Sequence, residues 1–204
     1  GGCAFATRSA GRHPSGAAWD LLVSASGTPV RPAVVLCGPM GSGKSAVGRR
    51  LATRLGQTFF DSDAQVEKEA GESIAALFAQ HGESYFRELE HSVVTRALTG
   101  HPGVLSLGGG ALVDPRTQRA IEVYRADGGA VVFLDVSVRY AMLRIGSTAS
   151  RPLLEQENPR ERWSRILQER RATYERLSTV TLQTDHLSPS ALVREIATHI
   201  DAAI

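Results

Sequence analysis

The chain has 204 residues, of which 42% are hydrophobic and 22% charged, and this composition predicts one globular domain with a sizeable core and argues against two packed domains. The formal net charge is only +2, and the arginines are spread along the chain without a long basic block, so nucleic-acid binding is not indicated. No apolar run approaches the roughly 20 residues that cross a bilayer, and the first residues lack the pattern of a secretory signal. We therefore expect a cytoplasmic protein that has no membrane contact and acts as a monomer.

The first part of the chain, residues 1–30, is rich in Gly, Ala and Ser and shows no sustained hydrophobic periodicity. This composition predicts a flexible N-terminal extension ahead of a folded domain at 31–204. An organelle-targeting segment is an alternative, because Arg8 and Arg12 occur among serines with few acidic residues.

From residue 31 onward, five short apolar runs alternate with stretches that are long enough for crossover helices. The runs lie at 33–37, 58–60, 104–107, 130–134 and 180–183. This alternation predicts an α/β fold, a three-layer α/β/α sandwich around a central five-stranded parallel sheet. After the last run, Ser188 and Pro189 begin an amphipathic helix in which Leu192, Ile196 and Ile200 share one face.

The most specific motif follows the first apolar run and reads Gly-Pro-Met-Gly-Ser-Gly-Lys-Ser at 38–45. Between a strand and a helix this sequence forms a phosphate loop, because its glycines let backbone N–H groups converge on phosphate oxygens at the positive end of the helix. Lys44 supplies a cation to the outer phosphates, and the Ser45 hydroxyl can ligate Mg²⁺. Lys44 is one of only two lysines in an arginine-rich chain, which favours a functional role. The motif predicts a nucleotide-dependent phosphotransferase.

The reactive crevice of an open parallel sheet lies beyond the carboxyl ends of its strands, so residues after the second and third runs are candidates for chemistry. Asp61 and Asp63 follow the second run and, if the backbone is still extended there, point to the same side. One carboxylate could then hold the waters of a metal ion while the other binds an acceptor hydroxyl. Alternatively, one or both cap the helix expected at 64–70. The three glycines at 108–110 either let a ligand approach the backbone or form a flexible turn.

Arginines supply the remaining candidates. Arg87 and Glu90 lie three residues apart, so on a helix the acid can hold the guanidinium group, which binds carboxylates bidentately; a solvated surface pair is the alternative. The polar segment at about 146–159 contains Arg151 and has the character of a lid over nucleotide phosphates. In the arginine-rich helix that follows, we expect only one or two arginines to matter.

Together these motifs resemble the shikimate kinase family, P-loop kinases with the fold of the nucleoside monophosphate kinases. The likeness runs from about Ala33 to the C-terminus and includes, in the family's order, the phosphate loop, Asp61, Asp63, Gly71, Ser73, Ile74, Phe78, Gly82, Glu83, Phe86, Arg87, Glu90, residues 107–111 and 151–154, and Arg170 four residues before Tyr174. The resemblance implies transfer of the γ-phosphate of ATP to the 3-hydroxyl of shikimate, in the chorismate pathway of aromatic amino acid biosynthesis, with Mg²⁺ as cofactor.

The resemblance also implies the roles of individual residues. Asp63 would bind the acceptor hydroxyl and act as its base, Arg151 would stabilise the transferring group beside Lys44, and Glu90 would orient Arg87. The implied nucleotide-binding residues are Gly41, Ser42, Gly43, Lys44, Ser45, Ala46, Arg144, Arg151 and Pro189, of which Arg144 and Pro189 flank adenine. The implied substrate-binding residues are Asp63, Arg87, Gly109, Gly110 and Arg170. The implied metal-binding residues are Ser45 and Asp61.

Two residue assignments stay open at this level. The family usually has Pro-Leu-Tyr where this chain has Ala-Thr-Tyr at 172–174, and Arg170 is adjacent to Arg171, so either arginine could contact the substrate. Asp135 ends an apolar run, as the magnesium acid does in other P-loop proteins, and is an alternative to Asp61.

Two rival functions also stay open. A gluconate kinase would keep the phosphate loop but would not need both Arg87 and Arg170 for a ring carboxylate. A catalytically weak relative that regulates a partner would be expected to have lost Lys44, Asp63 or Arg151, and all three are present.

Overall fold

The computed structural model of the protein describes residues 30–146 and 158–201, and over these residues the chain forms five β-strands and seven α-helices. In chain order the elements are β1 (Pro32–Cys37), α1 (Lys44–Leu55), β2 (Phe59–Asp61), α2 (Ser62–Ala70), α3 (Ile74–Gly100), β3 (Gly103–Ser106), α4 (Pro115–Ala126), β4 (Ala130–Asp135), α5 (Val138–Ile145), α6 (Pro159–Leu177), β5 (Val180–Gln183) and α7 (Pro189–Asp201). A short 3₁₀ helix, Ala111–Val113, follows β3. Residues 1–29 and 147–157, and with them Arg151, lie outside the described residues.

The five strands form one parallel sheet in the order β2-β3-β1-β4-β5. The first strand is central: Val35 lies opposite Leu105 of β3 on one side and Val131 of β4 on the other. The predicted parallel sheet is therefore confirmed, with strand bounds that differ from the apolar runs by no more than one residue. Because all strands run the same way, the segments after β1, β2 and β3 meet at one edge of the sheet.

Alternate residues of the central strand face two separate hydrophobic cores, which is why its sequence is apolar throughout. Val35 and Cys37 pack with buried side chains of α3, α4 and α6, and Val34 and Leu36 pack with those of α1 and α7. The amphipathic character predicted for the last helix is confirmed, because Leu192, Ile196 and Ile200 are buried there: their relative exposures are 2%, 0% and 7%. Among the described helices, none is both long and apolar enough to cross a membrane.

Helix α2 begins two residues earlier than the sequence suggested, at Ser62. Asp61 is its N-cap: the backbone there is extended (φ −110°, ψ 118°), and the Asp61 carboxylate accepts hydrogen bonds from the backbone N–H groups of Asp63 and Ala64. The condition that the backbone stays extended from Asp61 to Asp63 is therefore not met, and the alternative, that Asp61 caps the helix, is confirmed. The cap turns the chain into a helix immediately after Asp61, so the direction of the Asp63 side chain is set by the first helical turn.

Candidate active site

A cleft of about 580 Å³ lies beyond the carboxyl ends of the strands. Its walls include these residues from the predicted site: Gly41, Ser42, Gly43, Lys44, Ser45, Ala46, Asp61, Asp63, Gly109, Arg144 and Pro189. The remaining described residues of the predicted set, Arg87, Glu90, Gly110 and Arg170, are connected to this cleft through the glycine segment at 108–110, as described below. Residues that are up to 148 positions apart in the sequence thus meet at one edge of the sheet.

The phosphate loop leads directly into helix α1. Gly43 is the N-cap, and Lys44 is the first helical residue. The Lys44 ammonium group donates hydrogen bonds to the carbonyl oxygens of Gly38 and Pro39, at 2.8 and 3.0 Å, so it lies across the loop that it follows. The backbone N–H groups of the first helical turn have no carbonyl partner within the helix, and they make this end of α1 a binding place for anions.

Asp61 connects the phosphate loop to helix α2. Its Oδ1 atom accepts the two capping hydrogen bonds, at 3.1 and 3.4 Å, and its Oδ2 atom accepts a hydrogen bond from the Ser45 hydroxyl at 2.9 Å. The capping and metal-side roles are therefore compatible, because they use different oxygens. Two adjacent oxygen ligands suit Mg²⁺, which usually keeps several waters and takes few protein ligands. No cluster of three or more His, Cys, Asp or Glu side chains that could hold a metal occurs in the described part of the chain.

The alternative metal-side acid, Asp135, is engaged elsewhere. Both of its carboxylate oxygens accept hydrogen bonds from the Arg171 guanidinium, at 2.7 and 2.9 Å, and Oδ1 also accepts one from the backbone N–H of Val136. Asp135 does not line the cleft. The same contact separates the two adjacent arginines: Arg171 faces Asp135, whereas Arg170 donates to the carbonyl oxygen of Gly109 at 2.9 Å. The geometry favours Asp61 and Arg170 over their alternatives.

The Asp63 carboxyl lies against the glycine segment. Burial, together with the nearby negative charge of Asp61, raises its pKa to about 6, while the Lys44 ammonium group opposes the shift. A carboxylate whose pKa lies near neutral pH is suited to accept a proton from an alcohol as general base. Sequence reasoning missed Ser62, a fully buried residue whose hydroxyl accepts a hydrogen bond from the Gly108 backbone N–H at 2.8 Å and so attaches the start of α2 to this segment.

Two of the three glycines are approached closely by the side chains of the candidate site. A Cβ atom at Gly108 would lie 2.1 Å from Asp63 Oδ1 and 2.9 Å from Glu90 Oε1, and one at Gly110 would lie 2.8 Å from Arg87 Nη1. Real Cβ atoms essentially never approach other atoms to less than 3.0 Å, so a larger residue at either position would displace the Asp63, Glu90 or Arg87 side chain from its present place. The glycine segment is therefore the surface on which Asp63 and Arg87 come together, and it is more than a flexible turn.

The Arg87–Glu90 pair is buried, which excludes the solvated alternative. Arg87 Nη1 lies 2.5 Å from Glu90 Oε2, and the two side chains are 13% and 2% exposed. Nη1 also donates to the carbonyl oxygen of Gly110 at 3.0 Å. Burial raises the pKa of Glu90 to about 7, while the Arg87 guanidinium acts in the opposite direction. Glu90 thus fixes one side of the guanidinium group against the glycine segment.

At the other end of the cleft, Arg144 joins the phosphate loop to the segment after β5. It donates to the hydroxyl and the carbonyl oxygen of Thr184, at 2.8 and 2.5 Å, and to the carbonyl oxygen of Gly41 at 3.4 Å. Pro189 and Leu187 line the cleft beside it. A cleft wall that contains a guanidinium group and apolar side chains is a suitable place for a flat heteroaromatic base.

Helix α6 is attached to the segments after two strands by Trp163 and Tyr174, residues to which sequence reasoning gave no role. The indole N–H of Trp163 donates to the carbonyl oxygen of Met40 in the phosphate loop at 3.0 Å, and the Tyr174 hydroxyl donates to that of Gly109 at 2.5 Å. Both side chains are 2% exposed. Their signal in the sequence is weak, because a buried aromatic residue on a helix is usually only a core residue. These contacts hold Arg170 over the glycine segment.

A family model described as shikimate kinase matches residues 40–201. The chain belongs to the shikimate kinase family. A shikimate kinase from Mycobacterium ulcerans is 43% identical over 170 residues, which cover 83% of this chain and 90% of the relative. Shikimate kinases are ATP-dependent phosphotransferases with an alcohol group as acceptor, and family membership assigns this enzyme class to the chain.

Solved structures agree with this family. A shikimate kinase from Acinetobacter baumannii in complex with shikimate superposes with a TM-score of 0.76 at 32% identity, covering 85% of this chain and 94% of that one. A gluconokinase from Sinorhizobium meliloti has a TM-score of 0.54 at 19% identity, over 86% of this chain and 94% of that one, and shares the fold alone. The P-loop kinase fold is thus common to this chain and to both solved structures, and sequence identity is what separates the shikimate kinase from the gluconokinase.

Proposed function

We propose that this chain transfers the γ-phosphate of ATP to the 3-hydroxyl of shikimate, with Asp63 as the base and with Arg87 and Arg170 as the arginines that bind the shikimate carboxylate. The observation that carries this assignment is the shared surface at 108–110. The Asp63 carboxyl, the Arg87 guanidinium and Arg170 all contact these glycines, beside the cleft that contains the phosphate loop. A hydroxylated ring acid needs this combination of one carboxylate near its hydroxyls and arginines at its carboxylate end.

The nucleotide half of the site is assigned to the phosphate loop and its surroundings. Backbone N–H groups at 41–46 and the Lys44 ammonium would bind the phosphates, and Arg144 and Pro189 would flank the adenine. Ser45 and Asp61 would hold Mg²⁺, which neutralises charge on the phosphate oxygens when it is bound. Phosphoryl transfer then depends mainly on the positioning of donor and acceptor and on electrostatic stabilisation of the transferring group.

In the acceptor half, Asp63 would accept a hydrogen bond from the 3-hydroxyl and remove its proton during attack on the γ-phosphate. Gly109 and Gly110 would contact the ring through their backbone, and Glu90 would keep Arg87 in place. Arg151 is proposed on the sequence resemblance alone, as the cation that reaches the transferring group from a lid at about 146–159. We likewise keep as a proposal that 31–204 is the catalytic domain and 1–30 an extension.

We also propose that the protein acts in the cytoplasm as a monomer on free ATP and shikimate, without nucleic acid or membrane. Light scattering of the purified protein tests this, and a stable dimer mass would contradict it.

The decisive experiment is a coupled assay of ADP release with Mg²⁺, in which shikimate and gluconate are compared side by side. We expect turnover with shikimate and little with gluconate, because gluconate offers no ring carboxylate in register with Arg87 and Arg170. Asp63→Asn should abolish turnover and leave nucleotide binding intact, since it removes the base and preserves the shape of the side chain. Absence of turnover with shikimate in the unmodified chain would refute the proposed function.

A further inference from the structure

The Arg87 guanidinium has two carboxylate partners that differ sharply in exposure. Nη1 donates to buried Glu90 and to the Gly110 carbonyl oxygen. On its other side, Nε and Nη2 both donate to a single oxygen of Glu83, Oε1, at 3.3 and 3.1 Å. The Glu83 side chain is 63% exposed, whereas that of Glu90 is 2% exposed. Glu90 is therefore a fixed partner of Arg87, and Glu83 is one that can exchange.

Glu83 occupies the only edge of Arg87 on which the described contacts leave room for a bidentate ligand. A guanidinium group binds a carboxylate through two parallel N–H groups on one edge. Both N–H groups of Nη1 are directed at Glu90 and Gly110, so a carboxylate ligand must use the edge formed by Nε and Nη2. Glu83 contacts this edge with one oxygen only, and an exposed ion pair of this kind contributes little stability. A ligand that brings two oxygens can replace it.

The backbone around Glu83 explains why this side chain can reach Arg87 and leave it. Helix α3 is interrupted at Gly82, whose φ of 80° and ψ of 171° are not helical. Glu83 is the first residue after the break, four positions before Arg87, which is the helical spacing for an ion pair. The first turn of a helical segment also favours a negative charge in its own right. Glu83 therefore keeps a favourable environment when it is not in contact with Arg87.

We propose that Glu83 sets the affinity of the enzyme for its acceptor by competing with the acceptor's carboxylate for the Nε–Nη2 edge of Arg87. This inference rests on the proposed role of Arg87 in binding shikimate. It makes Glu83 a specificity-determining residue: the anion that replaces it must supply two oxygens in the plane of the guanidinium group. An acceptor without a carboxylate gains nothing from the exchange.

The test is the substitution Glu83→Gln, which removes the charge and keeps the shape. Because the competitor is an exposed ion pair, we expect the KM for shikimate to fall about two- to fivefold. The KM for ATP and kcat should stay within about twofold. Glu88→Gln is a matched control: Glu88 lies in the same helix, is also 63% exposed, and pairs with Arg116 instead of Arg87. Shikimate methyl ester, which has no charged carboxylate, should show no improvement in KM with Glu83→Gln.

The possible outcomes separate this inference from the assignment on which it depends. An unchanged or raised KM for shikimate in Glu83→Gln would overturn the competition, and so would an equal gain with the methyl ester. Arg87→Ala reports on the underlying assignment: it should weaken shikimate far more than ATP. If Arg87→Ala weakens both equally, the proposed role of Arg87 fails, and with it the inference. If Arg87→Ala is selective for shikimate and Glu83→Gln has no effect, only the inference fails.

Discussion

The substitution Gly108→Ala tests the central geometry of the site, because it places one methyl group between Asp63, the proposed base, and the glycine segment. The added carbon would lie 2.1 Å from Asp63 Oδ1. An unstrained contact at this place needs about 3.4 Å, so the carboxylate must move by at least about 1 Å. The backbone cannot easily yield instead, since the Gly108 N–H is bonded to buried Ser62 at 2.8 Å. A misplacement of about 1 Å in a catalytic group costs on the order of 100-fold in rate.

We therefore expect kcat with shikimate to fall about 100-fold in Gly108→Ala, with nucleotide binding nearly unchanged. Steady-state ADP release measures the first quantity, and calorimetric titration with an ATP analogue measures the second. Overpacking of a buried position costs about 1–3 kcal/mol in unfolding free energy, which thermal denaturation will show. Gly100→Ala is the control for the same chemical change, because a Cβ atom there would meet nothing within 4 Å. A kcat near that of the unmodified enzyme would refute the placement of Asp63 against Gly108.

Two further predictions concern Asp63 and the pair of adjacent arginines. Burial raises the pKa of Asp63 to about 6, and a base must be ionised to act. The value of kcat/KM for shikimate should therefore fall about tenfold per pH unit below pH 6 and level off above it. A flat profile from pH 5 to 8 would contradict the proposed role of Asp63. Arg171→Ala should lower the melting temperature by several degrees, because it removes both guanidinium hydrogen bonds to the largely buried Asp135 carboxylate. The KM for shikimate should change less than threefold in this variant. Arg170→Ala should instead raise the KM for shikimate strongly and leave the melting temperature nearly unchanged. A large rise in KM with Arg171→Ala would show that the two assignments must be exchanged.

The helix that carries these arginines illustrates how the fold supports the site. Trp163 contacts the phosphate loop, Arg171 contacts the end of β4, and Tyr174 contacts the glycine segment after β3. Three attachments along one helix fix both its position and its rotation about its own axis. Burial raises the pKa of the Tyr174 hydroxyl to about 12, so this donor keeps its proton throughout the working pH range.

Much of the fold could be predicted from the sequence, because its signals are local. A parallel strand that is buried on both faces must be apolar throughout, as β1 and β4 are, and the five runs found in the sequence correspond to the five strands of the described sheet. The start of α2 was misplaced because Asp61 could either extend the strand or cap the helix. That choice depends on the hydrogen bonds that its carboxylate makes with the following turn.

By itself, the sequence determined the phosphate loop, because the motif at 38–45 is contiguous and its geometry follows from neighbouring residues. It also determined the Arg87–Glu90 spacing, since helical periodicity alone brings residues three apart together. Only the tertiary structure showed that Arg170 contacts the glycine segment and Arg171 contacts Asp135, because adjacent residues on a helix point about 100° apart and the rotation of α6 is set by distant contacts. It also decided that the glycines at 108–110 lie against Asp63 and Arg87, whose positions depend on how α2 and α3 pack beside β3.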